Sequence, residues 1–242
     1  MSQRSAPVLR AVAPGTYRLR VLGSSVVLLE DADGLVLVDT GLKGSVGRIL
    51  RAVRGLGYRP EDVRRVLVTH FHLDHIGSLA AVRRLTGAAV HVSAVEADYV
   101  AGRLRSPSPF RQRLLAAVAL PVLRAAAPAP CPVDGPLADG QVLPVRGGLV
   151  AVATPGHTPG STSFYLPAER LLITGDALQR RGDLLTLPHP WVSWDLAAAA
   201  ASARRLAALE VETLVLSHFR PFLRGAGAAL ADLARRLDGA AP

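Results

Sequence analysis

The sequence predicts an α/β fold made of two strand-rich halves in one domain spanning residues 1–242. Three observations carry this reading. Short apolar strands recur in both halves, segments with helical spacing separate them, and several strands end directly on a His or Asp. At 242 residues the chain is long enough to bury the core of one large α/β domain or of a duplicated pair of halves.

In chain order, Tyr17 to Leu22, Ser25 to Leu29 and Leu35 to Val38 read as sheet strands, with Asp33-Gly34 turning a hairpin. Val46 to Leu56 has helical spacing and is stopped by Gly55 and Gly57. Val66-Leu67-Val68 is a strand that leads into Thr69-His70-Phe71-His72-Leu73-Asp74-His75-Ile76-Gly77, and Ser78 to Leu85 makes the next helix. Ala88-Ala89-Val90 is a further short strand, followed by His91, which reads as a structural histidine. Residues Arg103 to Pro136 depart from the pattern and are expected to be a helical insertion. Ser106-Pro107-Ser108-Pro109 opens it, an Ala- and Leu-rich helix follows over Phe110 to Arg124, and a Pro-rich loop closes it. Such a helix is either a surface element packed on the core or a lid over a site.

Gln141 to Val145 opens the second half. Val150 to Ala153 is a strand running into Thr154-Pro155-Gly156-His157-Thr158-Pro159-Gly160, whose two Pro-Gly pairs hold His157 on a tight turn capped by Thr158 and Ser161. Arg170 to Thr174 is a strand ending at Gly175-Asp176, and Val211 to Leu216 is one ending at Ser217-His218. Leu196 to Leu209 is an alanine-rich helix, and a short helix over Ala226 to Leu237 follows. His189, between Pro188 and Pro190, reads as structural.

Three imidazoles and a carboxylate within six positions make a poor packed core and a good metal site. In extended backbone His70 and His72 project to the same side, so both can reach one ion. A turn into helix then swings Asp74 and His75 towards a neighbouring ion. His157, Asp176 and His218 each sit just past a strand end, where a rigid sheet can present convergent side chains.

Leu37-Val38-Asp39-Thr40-Gly41, the stretch from His70 to Gly77, His157, Gly175-Asp176 and His218 together resemble the metallo-β-lactamase superfamily over nearly the whole chain. The resemblance implies a four-layer αβ/βα sandwich with two metals at one edge. His70, His72 and His157 would hold the first, Asp74, His75 and His218 the second, and Asp176 would bridge them. It also implies that Asp39 hydrogen-bonds the ligand loops. Asp74 would orient the attacking water and carry a proton to the leaving group. Zinc is the expected metal, two ions per chain, with iron and manganese as alternatives.

Departures from family patterns narrow the activity. A bridging Asp176 argues against antibiotic-hydrolysing members. Glyoxalase II-type members add a C-terminal helical domain, whereas only one short helix follows His218 here. Some homoserine-lactone hydrolases place a Tyr after the bridging Asp, where this chain reads Ala177-Leu178-Gln179. Ser217-His218-Phe219-Arg220 replaces glycines that flank the last histidine in the family. Phe219, Arg220 and Trp191 are candidates to line the substrate pocket.

The expected function is therefore a dinuclear metal hydrolase of a small ester, lactone or thioester. Competing expectations are a persulfide dioxygenase with one iron held in the manner of His70, His157 and Asp176, a phosphodiesterase or nuclease, and a non-catalytic binding module. The last is disfavoured by the complete donor set.

A net charge of +9 and a pI near 11.0 raise the question of nucleic acid. Lys43 is the sole lysine and aromatics make up 5% of the chain, so no aromatic-interleaved basic stripe accompanies the arginines. A small-molecule substrate is expected rather than nucleic acid. The longest apolar run, Leu114 to Leu123, is broken by Pro121 and too short for a bilayer, so no membrane partner is expected. No secretory signal is visible and the single Cys131 has no partner for an internal disulfide. The expectation is a cytoplasmic protein, compatible with a homodimer.

Overall fold

The third strand of the chain decides the layering. Over Ser25–Asp31 (β3) residues 25–29 are all buried, with Val26 and Leu28 in one core and Val27 and Leu29 in another. A strand alternates its side chains, so a sheet containing this one must be covered on both faces.

The computed structural model describes residues 9–104 and 127–239. The expected helix over Phe110 to Arg124, and the choice between lid and surface helix, lie outside the described residues. The larger sheet has seven strands in chain order: β1 (Leu9–Ala13), β2 (Thr16–Arg20), β3, β4 (Gly34–Val38), β5 (Val63–Leu67), β6 (Ala89–Ser93) and β7 (Gly135–Leu137). Neighbours are antiparallel from β1 to β4 and parallel from β4 to β7. The second sheet draws on β8 (Val142–Leu143), β9 (Leu149–Ala153), β10 (Thr162–Leu166) and β11 (Leu171–Ile173). A separate hairpin, β12 (Gln179–Arg181) and β13 (Leu184–Thr186), precedes its last strand, β14 (Thr213–Val215). The order is β14-β11-β10-β9-β8, with only β11 and β14 parallel.

Three apolar clusters hold the layers together. Val27, Leu29, Val36 and Val38 of the first sheet meet Ala151, Phe164, Ile173 and Val215 of the second. On its other face the first sheet packs Leu28, Leu37 and Val66 against Ile49 and Val53 of α1 (Val46–Gly55). Leu79 and Val82 of α3 (Leu79–Thr86), which follows the short α2 (Leu73–Ile76), join them. The second sheet packs Val152, Tyr165, Leu172 and Leu214 against Leu206 and against Leu230 and Leu233. Numbering continues from α4 (Ala97–Val100), so Leu206 belongs to α5 (Leu196–Ala207) and the other two to α6 (Ala226–Gly239). The result is the αβ/βα sandwich.

Several sequence expectations change. The end of the expected insertion is sheet: Gly135–Leu137 pairs with β6, and Pro136 is accommodated because β7 is an edge strand. His91 lies within β6 rather than after it. Strand β10, Thr-Ser-Phe-Tyr-Leu, is buried at all five positions and shows no polar alternation, so period-two reading misses it. Among the described residues no helix is long and apolar enough to cross a membrane.

Parallel pairing also explains why the candidate ligands converge. Because β4 and β5 run parallel, Asp39 and Thr69 leave the first sheet at the same edge. Because β11 and β14 run parallel, the chain segments carrying Asp176 and His218 leave the second sheet together. The carboxyl ends of parallel strands are where open α/β sheets place their ligands.

Candidate metal centre

Local geometry first sets the histidine-rich turn. His72 is extended (φ −63°, ψ 149°), and the chain then enters the four-residue helix Leu73–Ile76. With that turn, Asp74 and His75 approach His218 and Asp176, while His72 faces His157. Gly77 ends the turn in a space no side chain could share. A Cβ there would sit 2.4 Å from the Lys43 nitrogen and 2.5 Å from the Leu73 carbonyl oxygen.

Six of the seven candidate ligands make close contacts with partners from the other half, or with the shared carboxylates, and all seven fall into three overlapping groups. These are His70, His72 and His157; His70, His75 and Asp176; and Asp74, His75 and His218, with donor atoms within 4.8 Å of one another in each. His157 Nε2 lies 2.9 Å from His72 Nδ1. Asp176 Oδ2 lies 3.0 Å from His218 Nε2, 3.6 Å from His157 Nε2 and 3.7 Å from His75 Nε2. Asp74 Oδ2 is 3.2 Å from His218 Nε2.

The outward nitrogens of His70, His75 and His218 are fixed from behind. Asp39 Oδ1 accepts from the Thr69 backbone N–H at 2.8 Å. Its Oδ2 accepts from the Thr69 hydroxyl and from His75 Nδ1, each at 2.8 Å. Thr69 Oγ1 is in turn 3.0 Å from His70 Nδ1. One buried carboxylate therefore orients His75 directly and His70 through Thr69. The backbone at Asp39 is left-handed (φ 62°), a conformation Asp tolerates better than most residues. His218 Nδ1 faces the Gly23 carbonyl at 2.9 Å. Arg18 donates to the Phe219 carbonyl at 2.7 Å, and Ser25 Oγ to the Ser217 carbonyl at 2.7 Å, so β2 and β3 brace the segment that carries His218.

A metal fits this donor set. The Nε2 atoms of His70 and His75 are buried, face the cluster and have no hydrogen-bond partner. Such groups are costly unless something coordinates them. Burial, reinforced by neighbouring histidines, holds His70 well below its usual range and His72 down at about 3, while burial alone leads in lowering His157. These rings are neutral, the state that ligates. Burial also opposes charge on His75 and His218, but Asp39, Asp176 and Asp74 outweigh it for His75. Hydrogen bonds to Asp176 and Asp74 lift His218 to about 9. The carboxylates thus favour positive charge at this side of the cluster.

Asp74 is a quarter exposed, the most accessible of the carboxylates in the cluster. Burial pushes its carboxyl up, but His75 and His218 prevail and hold it at about 2, so it is ionised at neutral pH. Of the expected pocket residues, Trp191 is exposed with its ring 6.2 Å from that of His189, outside the cluster. Phe219 packs partly into the third apolar cluster, 6.5 Å from the His218 ring, and Arg220 is exposed. Neither His91 nor His189 joins the donor groups.

A family model for the metallo-beta-lactamase superfamily matches residues 19–218, which contain every one of these side chains. The chain belongs to this superfamily. It is an enzyme of the hydrolase type. The chain is 29% identical over 244 residues to the probable metallo-hydrolase YflN of Bacillus subtilis (strain 168), an alignment covering 93% of this chain and 92% of that one. It is 26% identical over 205 residues to an N-acyl homoserine lactonase of Bacillus cereus, covering 74% and 73%. The crystal structure of a metallo-beta-lactamase family protein from Thermus thermophilus is similar with a TM-score of 0.69 at 26% identity. That match covers 95% of this chain and 81% of the other.

One residue of this metallo-hydrolase that sequence reading overlooks is Glu96, fully buried beside the centre. Its Oε2 accepts from the Phe71 N–H at 2.6 Å, and its Oε1 accepts from the Thr158 hydroxyl and from the Gly160 N–H. Burial, partly offset by these bonds and aided by Asp39, raises its carboxyl from 4.5 to about 7. A carboxyl raised on folding contributes stability that is fully present below about pH 4.5 and is lost as pH rises through about 7. Glu96→Gln has no such titration. The stability gap between metal-free wild type and Glu96→Gln is therefore expected to narrow over that window, as read from urea midpoints.

Proposed function

We propose that this metallo-hydrolase binds two metal ions, zinc first among candidates, and cleaves a small neutral ester, lactone or thioester. The observation that carries the reading is the position of Asp176, whose Oδ2 approaches histidines of both outer groups. A single carboxylate placed so is suited to bridging. His70, His72 and His157 would hold one ion, and Asp74, His75 and His218 the other. When bound, such a pair polarises a carbonyl oxygen and makes water nucleophilic at neutral pH.

The chain's own groups supply the rest. Asp39 and Thr69 keep the donor nitrogens of His75 and His70 aimed inwards before substrate arrives, so little reorganisation is needed. Asp74, ionised and partly open to solvent, is placed to orient a water and then to take up and pass on a proton to the leaving oxygen or sulfur. Exposed Leu22 precedes Gly23, where a Cβ would lie 3.0 Å from Asp74 Cβ. Exposed Trp194 lies 6.5 Å from the Phe71 ring. These two apolar surfaces flank the centre and suit an uncharged acyl group. The likeness to a homoserine lactonase agrees with this class.

The test is metal content of the purified protein beside turnover of a lactone and thioester panel. About two equivalents of zinc with lactone or thioester turnover supports the reading. RNA or DNA cleavage with steep salt dependence, and no turnover of neutral lactones, overturns it. Arg220 is exposed and two residues past His218, so it contacts a neutral substrate little. Arg220→Ala is expected to keep both metals and to leave neutral-lactone turnover within about tenfold, a cost below ~1.4 kcal/mol.

A further inference from the structure

Glu96 lies at the start of the short helix α4, yet its carboxylate does not cap that helix. It reaches instead between two loops from opposite halves of the chain. Phe71, whose N–H it accepts, separates His70 from His72. Thr158 and Gly160, which bond its other oxygen, follow His157. The partners stand 25, 62 and 64 residues away in sequence. Thr158 is held for this bond by Ser161, whose Oγ lies 2.7 Å from Thr158 Oγ1 and accepts from the Thr158 N–H at 3.1 Å. Gly160 is required by the close approach: a Cβ there would be 2.5 Å from Glu96 Cγ. Every donor that Glu96 receives is thus attached to a segment carrying one of the histidines of a single group.

We infer that Glu96 is the positioning residue of the three-histidine group, a buried carboxylate that buckles the His70–His72 loop to the His157 loop and sets their spacing. The inference rests on the metal reading proposed above. Asp39 braces His70 and His75 through their rings, whereas Glu96 acts on backbone, fixing how far His157 stands from His72. A carboxylate suits this position because all three contacts donate to it and it offers two acceptor oxygens. Glutamine has the same shape but one acceptor, so either the Phe71 or the Gly160 N–H must face an amide N–H₂ and the loops must part.

Metal-free wild type, Glu96→Gln and Glu96→Asp would be titrated with cobalt(II) at about pH 8, where the carboxyl is ionised. The visible d–d absorption reads ligand geometry, and competition with a chelating dye reads zinc affinity. Wild type is expected to take two equivalents. Glu96→Gln is expected to lose at least tenfold in affinity for one of them and to change that equivalent's spectrum, in line with other groups that orient metal ligands. The other equivalent keeps its wild-type spectrum. Glu96→Asp, which keeps both oxygens on a shorter stem, is expected to recover part of the loss. Should Glu96→Gln fail to fold, Thr158→Val removes one of the three bonds and should weaken the same equivalent several-fold. If Glu96→Gln, or Thr158→Val in its place, binds both equivalents with wild-type affinity and spectrum, Glu96 is no more than packing and the inference falls while the two-metal reading stands. A wild type that takes up no cobalt or zinc overturns the two-metal reading itself.

Discussion

Asp176→Ala is expected to bind at least one metal fewer than wild type and to lower turnover about a thousandfold or more, equivalent to ~4 kcal/mol of lost transition-state stabilisation. The size follows from geometry. Asp176 Oδ2 contacts His218 at 3.0 Å and approaches His157 and His75 at 3.6 and 3.7 Å, so no other side chain can take over its place between the groups. Burial works against its charge, but the neighbouring His75 and the hydrogen bond from His218 hold it ionised, well below the usual carboxylate range. Removing it also leaves the cationic side of the cluster short of one negative charge. Elemental analysis of metal and steady-state kinetics on a lactone check both parts. A wild-type protein fully active with one bound iron, and an Asp176→Ala variant that merely loses that iron, would point to oxidative chemistry on one ion instead.

Asp39→Ala carries the second large effect, and it divides between stability and metal binding. The substitution leaves the Thr69 N–H and the His75 Nδ1–H buried without their acceptor, at about 1–3 kcal/mol each. Alanine also lacks the side-chain oxygen that lets aspartate tolerate the left-handed backbone at φ 62°. A stability loss of roughly 2–6 kcal/mol follows from the two lost bonds. Asp39→Asn separates the two roles, because it tolerates the backbone and retains one acceptor oxygen. It should unfold at a urea concentration much closer to wild type, yet lose about tenfold to a hundredfold in metal affinity or turnover. Wild-type turnover in Asp39→Asn would mean that the two rings hold their orientation without the carboxylate.

The centre was largely legible in the sequence because its chemistry is local and its residue types are rare in cores. Four of the seven donors lie between His70 and His75, and the other three each follow a strand that its own apolar run announces. Strands with a visible turn, such as that ending at Asp31 before Gly34, were equally readable. What was not legible depends on partners distant in the chain. Glu96 stands in Ala94-Val95-Glu96-Ala97, which reads like any solvated stretch, and only the folded chain brings Phe71 and Thr158 to it. Arg18 looks like one more surface arginine, but it is buried against carbonyls beyond Leu216. Strand β10 failed for a different reason: a strand covered on both faces loses the alternation that would mark it.

The division of the donors between two sheets also sets when the centre can exist during folding. His72 and His157 are 85 residues apart, and the contacts that brace His218 from β2 span up to 201 residues. Such closures come at a high entropic cost and are made late, after each half has formed its own local hairpins. The half that ends with β7 can collapse with four of the donors and still complete none of the three groups, each of which needs His157, Asp176 or His218. Metal bound by the native chain alone then adds its binding free energy to the docked form and none to the separate halves. Refolding rate and metal uptake should therefore report the same event, the meeting of the two sheets.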